Sequence, residues 1–205
     1  MTDELIFYTN PMSRGRIVRW MLEEVGATYR TEILEYGTTM KSAEYLAINP
    51  MGKVPAIRHQ GQTITECAAI CAYLADAFPE AGLAPPLAER AAYYRWLFFF
   101  AGPVEAAVTN RRLGFETPPD QLRMAGYGTF EAVMDTIEQA VSSTDYIAGD
   151  KFSAADVYCG SHIGWGLHFG SIEKRPAFAA YWARLGERTA HRLATELDDA
   201  LTPDS

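Results

Sequence analysis

Every strand-like pattern in this 205-residue chain lies before residue 66, and none recurs from Ala88 onward. Such a chain divides into a mixed strand–helix part and an all-helical part. Leu5-Ile6-Phe7-Tyr8 is an apolar run stopped by Asn10-Pro11, which predicts a first strand. From Arg14 to Val25 the apolar residues Ile17, Val18, Met21, Leu22 and Val25 recur at three and four. Gly26 follows as a stop, so the segment is predicted to be a helix. Tyr29 to Leu34 predicts a second strand. Strand, helix and strand within about 30 residues form a βαβ unit with parallel strands and a right-handed crossover.

A short helical piece, Ala43 to Ile48, ends at Asn49-Pro50. Val54 to Arg58 and Thr63 to Thr65 then flank His59-Gln60-Gly61-Gln62, a hairpin signal. Glu66 to Ala77 is a dense apolar helix. The expected order over residues 1–77 is βαβαββα. Residues 78–87, rich in proline, are expected to link to an all-helical domain over 88–205. There, Arg90 to Gly114 should bend at Gly102-Pro103, where proline removes a donor. Further helices are expected from Pro118-Pro119 to about Val141, from Ser153 to about His168, and from Arg175 to Leu197 as one or two.

The balance of 18 Lys+Arg against 26 Asp+Glu gives a net charge of −8. That argues against a general binder of nucleic acid or anionic membranes, which needs a basic footprint. The longest uncharged apolar run, Cys67 to Ala75, is far short of the roughly 20 residues that span a bilayer. The acidic start, Met1-Thr2-Asp3-Glu4, lacks the basic region of a secretory leader. Three cysteines suit a reducing cytoplasm better than a disulfide scaffold. His59, His162, His168 and His191 are scattered, so no metal site is expected.

Four short segments carry possible chemistry, each with a purely structural alternative. Ser13, at the junction of first strand and first helix, can cap the helix or donate a hydrogen bond to an anion held at the helix start. Arg14, Arg16 and Arg19 make that helix the least repulsive surface for an anion, or simply a solvated face. Val54-Pro55 leads into a strand, where proline is normally excluded. A cis bond there reconciles the two and turns Val54 toward an extended, peptide-like ligand. Thr65-Glu66-Cys67 opens a helix whose N–H groups could hold a carboxylate while Glu66 pairs with an amine, or it is an ordinary helix start. Ser153 and Asp156 match a capping box and are expected to be structural.

In this order and spacing the segments resemble the cytosolic glutathione transferases over essentially the whole chain. Asn49 to Ile57 is similar to the family's N-P-x-G-x-V-P-x-L segment with its cis-proline. Glu66-Cys67 through Ala69-Ile70 and Tyr73-Leu74 is similar to E-S-x-A-I-x-x-Y-L, and Phe152 to Asp156 to the family's buried capping box. The resemblance implies a thioredoxin-like domain followed by an all-α domain, a cytoplasmic homodimer, and glutathione as co-substrate. Ser13 is similar to the catalytic serine of the serine-type classes. The resemblance implies that Lys53 faces the glycyl carboxylate and that Val54, before Pro55, pairs with the cysteinyl backbone. It also implies that Glu66 and residue 67 hold the γ-glutamyl end. Cys67 departs from the usual serine and replaces a hydroxyl contact with a weaker thiol.

An electrophile pocket is expected between the domains. On the long helix Phe99, Pro103, Ala106 and Asn110 share a face at helical spacing, with Met12 and Trp165 closing the pocket. Core or interface packing is the alternative for each. Conjugation of glutathione to a hydrophobic electrophile is the leading expectation. Glutathione-dependent peroxide reduction or dehalogenation, and a non-catalytic interaction module, are the alternatives.

Overall fold

The structure, a computed structural model, describes residues 4–202. The acidic start Met1-Thr2-Asp3 that argued against a leader lies outside them. The chain forms two units: the residues up to Leu83 together with those from Glu187 onward, and residues 84–186. The sequence expectation keeps all of 88–205 together, whereas here the last helix packs with the first unit.

The first unit follows the expected βαβαββα order. It runs β1 (Leu5–Thr9), α1 (Gly15–Val25), β2 (Tyr29–Ile33), α2 (Ala43–Leu46), β3 (Ala56–His59), β4 (Gln62–Thr65) and α3 (Cys67–Ala77). The sheet order is β2-β1-β3-β4. β1 and β2 are parallel, and β3 runs antiparallel to β1 and β4. Alternation divides β1 between two layers. Leu5 and Phe7 are buried, and Phe7 lies beneath the Arg19 guanidinium of α1. Tyr8 packs instead with Met40, Tyr45 and Ala56, joined by Ile6, Leu34, Ile48 and Val54. The helical side is dense: Ile17, Val18, Met21, Leu22, Ile70 and Leu74 are fully buried, each contributing about 1.5–3 kcal/mol. Gln60 and Gly61 both have positive φ, as a two-residue hairpin turn requires.

The last helix, α9 (Thr189–Asp199), lies along α1, joined to it by ion pairs and an aromatic contact. Arg19 of α1 and Asp198 of α9 are both buried and meet at 2.7 Å. Arg188 grips Glu24 with two nitrogens at 2.6 and 2.8 Å. Trp20 meets the His191 ring edge-on, with centroids 4.8 Å apart. Removing one partner of the buried pair would strand a charge, at about 3–5 kcal/mol.

The second unit holds α4 (Ala91–Phe99), α5 (Glu105–Leu113), α6 (Phe130–Ser143), α7 (Ala154–Phe169) and α8 (Pro176–Gly186). The expected bend at Gly102-Pro103 is a π-helical segment, Phe100–Val104, between α4 and α5. Pro103 has no N–H to give an α-helical bond. The chain widens instead, and the Glu105 N–H reaches the Phe100 carbonyl. The helix expected from Pro118 to Val141 is corrected to a 3₁₀ turn, Pro119–Met124, and the separate α6. The break is Gly126-Tyr127-Gly128, with Gly128 at φ 69° and Thr129 capping α6. The Ser153–Asp156 capping box opens α7. Asp156 is fully buried and accepts from the Ile147 and Ser153 N–H groups and the Tyr181 hydroxyl, at 2.7–2.9 Å. No helix of the described residues is long and apolar enough to cross a membrane.

Candidate functional site

Three of the segments singled out in the sequence leave the sheet at the same end. Tyr8 lies opposite Ala56, so the loop after β1 emerges beside the segment that precedes β3. Ala56 lies opposite Thr65, so the start of α3 emerges there too. The Cys67 thiol donates to the Arg14 carbonyl at 3.4 Å, tying the starts of α3 and α1. Topology therefore gathers Ser13, Val54, Pro55, Glu66 and Cys67.

Residues 10–14 form a loop braced by Asn10, whose role the sequence did not reveal. The buried Asn10 amide donates to the Leu34 carbonyl at the end of β2, and its oxygen accepts from the Met12 N–H, both at 2.9 Å. The Asn10 carbonyl accepts from the Ser13 N–H at 3.1 Å and from the Ser13 hydroxyl at 2.6 Å. Ser13 Oγ in turn accepts from the Gly15 N–H at 2.9 Å. Glycine is needed at 15 because a Cβ would stand 1.8 Å from Thr9 Oγ1. The expectation of free N–H groups at this helix start is corrected for Gly15 and Arg16. Ser13 Oγ takes the first, and the Ser13 carbonyl takes the second at 3.3 Å. The dipole remains, and the half-exposed Ser13 hydroxyl can donate to an anion only by leaving the Asn10 carbonyl. Arg19 is not an anion-binding surface, being buried in its pair with Asp198.

The Val54–Pro55 bond is cis, as expected. Pro55 is buried, Val54 half-exposed and Lys53 exposed. The turn before them is fixed from below. The Lys53 carbonyl accepts from the Tyr45 hydroxyl at 2.6 Å and the Asn49 amide at 2.9 Å. Burial pushes the Tyr45 phenol up to about 12, which keeps it a donor. Lys41 donates to the Met51 and Gly52 carbonyls at 3.1 and 2.8 Å. Neither Tyr45 nor Lys41 carried a sequence signal, because their partners are backbone atoms.

Glu66 stands at φ 67°, ψ 120°, before the first turn of α3. A non-glycine residue there costs on the order of 1–3 kcal/mol, and such outliers cluster at binding sites. Its side chain is exposed, whereas Cys67 is buried with its thiol turned to Arg14. The electrophile candidates divide. Met12 is exposed on the loop, and its carbonyl accepts from the Tyr36 hydroxyl at 3.3 Å. Phe99, Asn110 and Trp165 are half-buried in the helical unit. Phe99 packs edge-on against Trp96, and the Asn110 amide donates to the Tyr127 hydroxyl at 3.1 Å. Among the described residues no group of three or more His, Cys, Asp or Glu is placed to hold a metal.

The family model described as "Glutathione S-transferase, N-terminal domain" matches residues 12–77, which contain every one of the gathered side chains. The chain is 28% identical to "Glutathione S-transferase GstA" of Escherichia coli O157:H7 over 165 residues, 78% of each protein. It is 30% identical to "Protein LigF" of Sphingobium over 189 residues, covering 70% of this chain and 73% of that one. A solved sphingomonad glutathione S-transferase complexed with glutathione superimposes with a TM-score of 0.76 at 27% identity, over 95% of this chain and 98% of that one. With this fold and these matches, the chain belongs to the glutathione S-transferase family.

Proposed function

We propose that the protein binds reduced glutathione at this end of the sheet, stabilises its thiolate through Ser13 and conjugates it to hydrophobic electrophiles. The observation that carries the proposal is the convergence of Ser13, the Val54–Pro55 segment and Glu66 through the β1–β3–β4 register. In it Val54 pairs with the cysteinyl backbone and Lys53 faces the glycyl carboxylate. Glu66 and the Cys67 N–H hold the γ-glutamyl end. The bound glutathione of the sphingomonad relative supports this choice of co-substrate.

The free energy is sufficient if Ser13 exchanges partners. A free thiol titrates near 8.5, and one unit corresponds to about 1.36 kcal/mol. A hydrogen bond to a charged group contributes about 1.5–3 kcal/mol, and the neutral bond to the Asn10 carbonyl that it replaces about 0.5–1.5. At mid-range values, about 2.2 less about 1, the net is about 1.2 kcal/mol, or about one unit. The helix start adds about 0.3–1 kcal/mol. Together they bring the thiol down by between about one and two units, without a general base. The thiolate is the attacking species, and holding it beside the electrophile supplies proximity.

Phe99, Asn110 and Trp165 of the helical unit are proposed to contact the electrophile. We place the protein in the cytoplasm as a homodimer. Exposed Tyr94 and Phe98, four apart on α4, support pairing through an apolar stripe. Calorimetric titration with reduced glutathione, in buffers of different ionisation enthalpy, tests the reading. Binding with net proton release is expected. No heat at millimolar ligand would instead make the chain a non-catalytic interaction module.

A further inference from the structure

Helix α9 reaches the Ser13 loop through one arginine. Arg16 Nε donates to the Pro11 carbonyl at 2.6 Å, inside the loop that presents Ser13. A terminal nitrogen of the same guanidinium meets Asp199 Oδ1, on the last residue of α9, at 2.7 Å. The planar fork holds its donors in fixed directions, so the carboxylate on one side orients the nitrogen on the other. Asp199 is itself anchored, because its neighbour Asp198 is buried against Arg19, and Arg188 fixes the other end of α9 to Glu24. Pro11 has no N–H, so its carbonyl is the one main-chain hydrogen-bonding group through which that residue can be held. We propose that Asp199 and Arg16 are positioning residues. The end of α9 sets the fork, the fork holds the Pro11 carbonyl, and the held loop aims the Ser13 hydroxyl at the bound thiol. The inference rests on the glutathione reading above.

Two ways for Arg16 to act predict opposite signs. If it acted by its charge on the thiolate, removing the Asp199 carboxylate would strengthen its field and lower the thiol pKa. If it acts as a strut, Asp199→Asn loosens the fork and raises the pKa. The pair is partly exposed, with side chains at 26% and 61%, so the effect is modest. A rise of about half a unit, roughly threefold in thiolate, matches an exposed ion pair.

The test titrates the thiolate absorbance of glutathione bound to the wild type, Asp199→Asn, Arg16→Met and Arg16→Lys. The proposal expects a raised pKa in all three variants, with lysine failing to rescue because a point charge has no fork. Amide hydrogen exchange at Ser13, whose N–H donates to the Asn10 carbonyl, should quicken in each. A lowered pKa in Asp199→Asn, or full rescue by lysine, would overturn the strut. So would lower thermal stability with thiol pKa and Ser13 exchange unchanged. A wild type that shows no thiolate shift would overturn the glutathione reading instead, and Ser13 exchange would still decide whether α9 braces the loop.

Discussion

Ser13 and Ser153 each stand at the start of a helix, and both read as capping residues. Ser153 is 3% exposed, and its N–H and hydroxyl both meet Asp156, which is fully buried. Asp156 also gathers the Ile147 N–H and the Tyr181 hydroxyl, so four donors converge on one carboxylate. Ser13 is half-exposed, and its partners are a carbonyl three residues back and an N–H two residues on. The first arrangement is closed: water and ligands have no access, and every group serves the fold. The second is open: the hydroxyl can leave the Asn10 carbonyl for a ligand without unsealing a core. On the proposed reading, exposure and the reach of the partners, rather than residue type, separate a cap from a site.

The sharpest way to break this contrast is to empty the closed start. Asp156→Ala should cost about 3–5 kcal/mol by urea unfolding, because it leaves buried donors unsatisfied. Glutathione affinity and thiol pKa in the folded fraction should stay as in the wild type. Burial holds the Asp156 carboxyl above its ordinary value, against the opposing pull of its donors. The folded state therefore binds that proton more tightly than the unfolded one. The stability it contributes is complete below about pH 3.9 and shrinks as pH rises through the folded value. A urea midpoint whose low-pH slope is the same in wild type and variant would contradict that sign.

Next in size is Glu66, at the start of α3. Glycine accepts φ 67° freely, so Glu66→Gly should leave thermal stability unchanged or raise it by up to about 1 kcal/mol. Losing a charged contact to the γ-glutamyl end should weaken glutathione at least about tenfold. A variant that binds normally would place Glu66 outside the site. The smallest effect is expected at Cys67. Its thiol is buried on the Arg14 carbonyl, and the proposed function gives the ligand contact to its main-chain N–H instead. Cys67→Ser should therefore change the glutathione dissociation constant by less than about threefold. A tenfold gain would mean that the side chain contacts the ligand directly.

What was legible in the sequence was local. Alternation and three-four spacing located β1, α1, β2 and α3, and Gly26 ends α1 at φ 64°. The strand-leading Pro55 announced its cis bond, and the Ser153–Asp156 spacing announced its box. What was not legible depends on distant partners. Arg19 reads as one more surface cation until Asp198, 179 residues away, is folded against it. Asp198 and Asp199 read as an acidic helix end, with nothing local to show that α9 returns to the first unit. Asn10 reads as a strand stop, although its side chain braces the Ser13 loop. The run from Pro118 to Val141 carried its own break in Gly126 and Gly128, which the periodicity of the flanking residues concealed.

The central claim is that the Ser13 hydroxyl, by exchanging the Asn10 carbonyl for the sulfur, lowers the thiol pKa of bound glutathione. The direct test is a pH titration of thiolate absorbance on the glutathione complexes of wild type and Ser13→Ala. The account predicts a wild-type value below the free thiol's and an alanine value higher by about one unit. It also predicts a stability difference under about 1 kcal/mol, since the lost hydrogen bonds are local and solvent can replace them. Superimposable titration curves would contradict it, and would leave Ser13 a purely structural residue, as Ser153 is.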